Sequence, residues 1–421
     1  MPKKKASCTV LSRASFDPYQ SAVVEYLRAN RSDATLGNVN ISGWHNLFVK
    51  GRVGTVGSAV PALFLHCLAR ESDNLDGVLA GLAVAQVTGS TDAGGWSILS
   101  VPTAPIVTAT AWCIRALQAF GRKEHRSCII AGEAWIVGQQ DATGGWGPRQ
   151  GHALRLIETS HALLALAQMN APDAESVAKG VQWVRDSQRP DGSWGPTPNE
   201  DGDLSHTAIA LVTLDRVGID VKSDTVQRGL AHLERVWPAK MGSIEREFYE
   251  VMNMTGQYNR ISLEHDVDAL VVSAMAAFNC ISLRPEVLAW AGSKLEDFQL
   301  RHELFTPGMA KCIWSLIPRA IAMQAIANSL PASKTVSSLS VMGKTLFSTS
   351  PTLSAADIFA TAGALAWTSI LRHFLRVLAI LCLPVIAILY YKHILEVKEI
   401  WLHICFPIVL LIIDKLASKH A

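Results

Sequence analysis

Two aspartates, Asp266 and Asp268, close the run Glu264-His-Asp-Val-Asp-Ala269, which stands at the start of an apolar helical stretch. Carboxylates crowded at one helix end are an arrangement for handling protons. Burial and a neighbouring negative charge both disfavour ionisation, so one member of such a group can hold a proton at neutral pH. The helix N-terminus works the other way, because its dipole favours the charged form. The structural alternative is that one aspartate caps the helix. Two acid–imidazole pairs, Glu158 with His161 and Asp203 with His206, open other apolar stretches. These residue types suit a metal or acid–base cluster, or histidines hydrogen-bonded inside a core.

A repeat sets where these residues fall. Gln140-Asp-Ala-Thr-Gly-Gly-Trp146 returns as Gln188-Arg-Pro-Asp-Gly-Ser-Trp194. Weaker copies run from Ser90 to Gly94-Gly-Trp96, with Ser in place of Gln, and from Asn38 to Ser42-Gly-Trp44. The tryptophans at 44, 96, 146 and 194 are 52, 50 and 48 residues apart. A period near 50 marks a repeat architecture. Around the turns, Ala and Leu recur at helical spacing. This predicts helices over 77–86 and 109–120, 129–139 and 159–168, and 177–186 and 206–214. The second helices end alike at Gly121, Asn170 and Gly218, residue types suited to a left-handed cap. Counting eleven back gives Thr110, Thr159 and Thr207. Two further pairs, 226–236 with 266–279 and 287–298 with 313–330, lack the turn. Six hairpins over residues 18–330 predict an all-α ring with no exposed ends.

Composition narrows the classes. The 421 residues are 49% hydrophobic and only 18% charged, with net charge +2, so nothing points to a nucleic-acid partner. Eight cysteines are scattered without a Cys-x-x-Cys pair, which suits a reducing compartment and argues against a disulfide framework or zinc ribbon. The basic start Met1-Pro-Lys-Lys-Lys has no apolar segment behind it, so no secretory signal is expected. Residues 1–17 read as a loose basic arm and 331–355, rich in Ser, Thr, Pro and Lys, as a linker.

Residues 356–421 change character. The runs 377–391 and 400–413 are apolar, and 370–391 reaches spanning length if Arg372 and Arg376 snorkel. With Tyr390, Tyr391 and Trp401 at their ends, they predict a two-helix membrane hairpin. Arg372, Arg376, Lys415 and Lys419 flank its outer ends, which orients ring and C-terminus to the cytoplasm.

The turns, the period and the helical content resemble the α/α toroid of squalene–hopene cyclases, class II terpene cyclases and protein prenyltransferase β-subunits. In that family the turns lie outside the ring, and the second helix of each hairpin forms an inner ring facing a cavity. The resemblance implies cavity residues Trp112, Glu158, His161, His206, Trp314 and Arg319, with Phe305 a further aromatic candidate. It also implies a role for Glu264-His-Asp-Val-Asp-Ala269, which is similar to the Asp-x-Asp-Asp acid motif of class II cyclases. Asp268 then corresponds to the proton donor, with Asp266 and Glu264 beside it, and Ala269 replaces the family's last Asp. The zinc ligands of the prenyltransferases have no counterpart: Asp266-Val-Asp268 lacks a Cys, and the sixth inner helix lacks a His. The resemblance implies a membrane-associated, isoprenoid cyclase-like enzyme needing no metal or cofactor and acting on an isoprenoid or other lipid-like molecule. The alternative is a non-enzymatic toroid that binds a lipid or a protein partner and couples it to the membrane hairpin.

Overall fold

A computed structural model describes residues 11–45, 53–68, 74–98, 104–167, 173–252, 258–280, 285–306 and 313–330. The chain divides into two units, Met1–Thr352 and Leu353–Ala421, and every described residue belongs to the first. The membrane hairpin expected over 356–421 therefore lies outside the described residues, as does Asn170. Among the described residues, no helix is long and apolar enough to cross a membrane.

Among the described residues, twelve α-helices alternate in two layers: α1 (Asp17–Ala29), α2 (Thr55–Cys67), α3 (Asp76–Val84), α4 (Val107–Phe120), α5 (Arg126–Gly138), α6 (Leu156–Leu166), α7 (Ala174–Asp186), α8 (Leu204–Arg216), α9 (Asp224–Lys240), α10 (Val267–Ala277), α11 (Pro285–Arg301) and α12 (Ile313–Ser329). The even-numbered helices pack in sequence, and α12 returns to α2, closing a ring of six hairpins. Burial separates the layers. Every residue of α6 except His161 is buried, as an inner helix requires, whereas α7 buries a stripe of four. The ring's seam is stitched by polar contacts: Gln20 donates to the Ala320 carbonyl (2.9 Å) and Arg13 to the Ala327 carbonyl (3.1 Å). Residues 11–17, expected to be part of a loose arm, are instead docked here, with Phe16 buried.

The repeated turn has one chemistry. Trp146 donates its backbone N–H to Thr159 Oγ1 (2.9 Å) and its indole N–H to the Ile136 carbonyl (2.8 Å). Trp96 does the same with Thr110 and Leu82, Trp194 with Thr207 and Val184, and Trp44 with Ser58 and Leu27. The glutamine amide reaches across repeats. Gln140 Nε2 donates to the carbonyls of Gly144 in its own turn and Ser176 on the next outer helix. Gln188 repeats this with Gly192 and Thr225. In the preceding unit the same bonds, to Gly94 and Cys128, come from Gln86 and not from Ser90. The helix preceding that turn, α3, ends at Val84, and its glutamine lies eight residues before the glycine instead of four.

Three of the tryptophan rings fill a notch on the next outer helix. A Cβ at Gly132, Gly180 or Gly229 would lie 2.7, 2.6 or 2.8 Å from Trp96, Trp146 or Trp194 respectively. The left-handed ends expected at Gly121 and Gly218 are present, with φ of +60° and +81°, and Asn279 ends α10 at φ +56°.

Two strand pairs depart from the all-helical expectation. Strands β1 (Ser32–Leu36) and β2 (Val39–Gly43) pair across the two-residue loop Gly37-Asn38. Strands β3 (Ile244–Met252) and β4 (Tyr258–Asp266) are inserted between α9 and α10. Glu245 lies opposite His265 and Arg246 opposite Glu264, so Glu245, Glu247 and His265 share one face while Arg246 and Glu264 share the other. The first face turns to the helix starts: Glu245 accepts the Leu204 (3.2 Å) and Ser205 (2.8 Å) N–H groups of α8, an N-terminus whose dipole favours a carboxylate.

The notch gives a paired expectation. Gly180→Ala drives a methyl into Trp146 and Leu163 and should destabilise the ring by about 1–3 kcal/mol. Gly138→Ala, with nothing within 4 Å, should be neutral or stabilise by about 0.5–1 kcal/mol. Thermal or urea midpoints read both; equal shifts would sink the notch.

Candidate functional site

On each inner helix, two neighbours and an outer helix cover most of the surface. The residues that still reach solvent, among them Trp112, His161, Ile209, Leu270 and Ile321, mark the face turned to the lumen. Ile209, Leu270 and Ile321 make α8, α10 and α12 apolar at this position, whereas α4 and α6 carry Trp112 and His161. There the Trp112 and His161 rings lie 5.1 Å apart, at corresponding positions of two repeats, and the Arg115 guanidinium stacks 4.4 Å over Trp112. Arg115 is buried and makes no ion pair among the described residues. Its Nε, the Trp112 Nε1 and the His161 Nδ1 are all buried without a hydrogen-bond partner. Burial, then the charge of Arg216, lowers the Arg115 pKa to about 10. Burial, then the charge of Arg115, lowers His161 to about 3, so its imidazole is neutral.

A second polar cluster lies at the ring mouth, where the inner face of β3–β4 meets the starts of α6 and α8. Glu247 accepts a hydrogen bond from Arg155 and lies 3.3 Å from His206 Nε2 and 3.4 Å from His265 Nε2. His206 turns its other nitrogen to Asp203, 2.7 Å from Oδ2, while Asp203 also caps α8 through the His206 N–H. Burial opposes the charged form of His206, but Asp203 and Glu247 outweigh it and raise the pKa to about 9. Burial likewise opposes ionisation of Glu247, and its two histidines outweigh it and lower the pKa. Glu158, fully buried beside Arg155, is raised to about 7 by burial and then by the charge of Glu247. A cleft of about 270 Å³, lined by residues including Arg155, Arg246 and Glu247, opens this cluster to solvent.

Of the expected acid motif, Asp266 and Asp268 are buried near one another and Glu264 is turned away. Glu264 lies on the outer face of β4 in an ion pair with Arg246 (3.0 Å). Asp266 caps α10 through the Ala269 N–H, accepts the Thr306 hydroxyl and pairs with buried Arg319 at 3.3 Å. Asp268 accepts the Trp237 indole N–H (2.8 Å) and the Gly242 N–H (3.0 Å). Counted back from Asn279, Asp268 occupies the position of Thr110, Thr159 and Thr207, and like them it receives the N–H of the preceding turn. Burial raises its pKa, the two N–H donors pull the other way, and the charge of Asp266 adds to the rise. Three carboxylates thus serve three separate partners.

Of the other expected cavity residues, Trp112 with His161 and Glu158 with His206 fall into the two clusters, while Arg319 is committed to Asp266. Trp314 lies in the first turn of α12, outside the described side chains. Phe305 packs on Tyr26 of α1, with ring centroids 5.0 Å apart. Sequence reasoning missed Arg115, Arg155 and Glu247. The repeat frame offered a signal for Arg115, three residues after Trp112 on the same helix face; Glu247 stands on a strand that no periodicity revealed.

Residues 103–202 match the squalene–hopene cyclase C-terminal domain family. No curated protein sequence matches the chain. In structure the chain is similar to Candida albicans protein geranylgeranyltransferase-I complexed with GGPP, at 12% identity over 64% of this chain and 79% of that one, with a TM-score of 0.44. It is similar to the type II terpene cyclase MstE from Scytonema, at 13% identity over 75% and 97%, with a TM-score of 0.44. A family 76 glycoside hydrolase from a bovine Bacteroides thetaiotaomicron strain shares 10% identity over 75% and 78%, with a TM-score of 0.49. The matched segment spans two of the repeated turns, and the six hairpins close into a ring, so in fold the protein is an α/α toroid.

Proposed function

We propose that the toroid binds an isoprenoid-class amphiphile with an anionic head, held in the lumen by Arg115, and that the apolar runs over 370–413 keep the ring at a membrane on its cytoplasmic side. One observation carries the ligand: a buried guanidinium without a carboxylate. A buried charge costs several kcal/mol unless a counter-charge offsets it. Stacking on Trp112 returns only about 0.5–2 kcal/mol. Arg115 and the Trp112 indole N–H are donors, and the neutral His161 ring can add one more, which suits a phosphate, diphosphate or carboxylate. The apolar wall at Ile209, Leu270 and Ile321 suits a hydrocarbon tail. The isoprenoid class comes from the cyclase family match, and the Candida albicans neighbour holds GGPP.

In this reading, binding does not lead to protonation by Asp268, whose carboxylate is engaged by Trp237 and Gly242. The rival is acid-initiated cyclisation through Asp268, supported by the family match and by the burial that raises this carboxyl.

Full-length protein in detergent, titrated calorimetrically, should bind farnesyl or geranylgeranyl diphosphate, and Arg115→Gln should weaken that binding roughly 10- to 100-fold. Affinity for the matching alcohols should not change. Equal diphosphate affinity in both proteins overturns the assignment. Because Arg115 makes no ion pair among the described residues, Arg115→Met should raise the thermal midpoint of ligand-free protein; a fall would mark the residue as structural. Incubation with squalene, oxidosqualene or the diphosphates should give no cyclised product by mass spectrometry. A product lost in Asp268→Asn would establish the rival.

A further inference from the structure

We infer that the ring mouth is a metal centre: His206 Nε2, His265 Nε2 and Glu247 Oε2 form a three-ligand site for a zinc-class divalent cation, with a fourth position left for water or a ligand. The three donor atoms all lie within 4.8 Å of one another, and all three residues are buried. His206 Nε2 is 3.3 Å and His265 Nε2 3.4 Å from Glu247 Oε2. Charge-assisted N–H···O bonds run about 2.7–2.9 Å, so both separations are long for ion-pair hydrogen bonds. They equal the edge of a coordination tetrahedron, about 3.4 Å for metal–ligand bonds of about 2.0–2.1 Å.

The second observation is independent of those distances. His206 is 1% exposed, and its Nε2 has no hydrogen-bond partner although its ring is held firmly. The ring is held by Asp203, 2.7 Å from Nδ1. A carboxylate on one nitrogen that leaves the other aimed at the donor cluster is the orientation of a metal-bound histidine. Arg155 occupies the other oxygen of Glu247, leaving Oε2 as a single ligand atom. Two imidazoles and a carboxylate are a borderline donor set that suits zinc rather than magnesium or calcium. The cleft bounded by Arg155, Arg246 and Glu247 gives the cation a route in.

The ligands also come from two separated parts of the chain, α8 and the β3–β4 hairpin. A bound cation would clamp the hairpin over the mouth of the ring. This centre does not depend on the lumen ligand, and the two are read by different probes, so either can fail alone.

Full-length protein stripped with a chelator should take up one Zn²⁺ per chain in a calorimetric titration. Co²⁺ in its place should give the visible absorption of a four- or five-coordinate nitrogen–oxygen site. Zinc should raise the thermal midpoint. His206→Ala and His265→Ala should each abolish the equivalent and the midpoint shift, and Asp203→Asn should weaken binding about 10- to 100-fold while leaving all three ligands in place. Circular dichroism checks the fold of each variant, and if His206→Ala fails to fold, Asp203→Asn and His265→Ala decide. Absence of saturable uptake by folded protein overturns the inference. So does uptake that the folded variants retain undiminished, which marks adventitious binding.

Discussion

One side-chain amide joins consecutive repeats. Gln140 donates both to the Gly144 carbonyl of its own turn and to the Ser176 carbonyl of the next outer helix, and Gln188 and Gln86 do the same in their units. Because both bonds leave one nitrogen, the turn and the neighbouring helix cannot shift independently. The tryptophan in the same turn then fixes depth, entering a notch that only glycine leaves open. The threonine of the inner helix accepts the tryptophan N–H and sets the height of that helix. Angle, depth and height of each hairpin are thus determined by a few residues. The two hairpins without this turn complete the circuit and bring α12 back to α2.

The fifth unit shows what happens when the turn is lost. Its tryptophan, Trp237, comes from the outer helix itself, and a carboxylate, Asp268, stands in the threonine position and receives both the indole and the turn N–H. A motif that resembles a catalytic acid in sequence is here a replacement part for the repeat. The space released by the missing turn holds β3–β4, which delivers Glu247 and His265 to helix ends that would otherwise meet only solvent. Loss of a scaffold element and gain of a polar site are one event in the fold.

How much the sequence revealed follows from which signals are local. The helices and their left-handed ends were legible because period, cap chemistry and apolar stripe agree within each segment. Gln86 was not, because a longer α3–α4 connection moves it out of register while its amide reaches the same two carbonyls. Gly37-Asn38 was a legible hairpin signal that the weak turn copy at Trp44 obscured. Strand β3 was hidden for a physical reason: its buried face carries Glu245 and Glu247, so the alternation of polar and apolar residues that reveals a strand is absent. The clusters depend on side chains brought together from two helices, in one case with a strand pair, and no spacing along the chain encodes that. The resemblance pointed to Trp112 and His161, whose rings lie together, and to Asp268, which here accepts the Trp237 indole N–H.

The seam of the ring sets a schedule for synthesis. Gln20 meets Ala320 and Arg13 meets Ala327, contacts that join positions 300 and 314 residues apart. During translation at about 5–20 residues per second, α1 and α2 wait on the order of 15–60 s for α12 to emerge. Throughout that interval the flank of α2 that α12 will cover is bare, and the partial ring presents an apolar edge to every other nascent chain. Closure of the ring therefore waits for α12, and the crowded cell sees an open crescent well before it sees a ring.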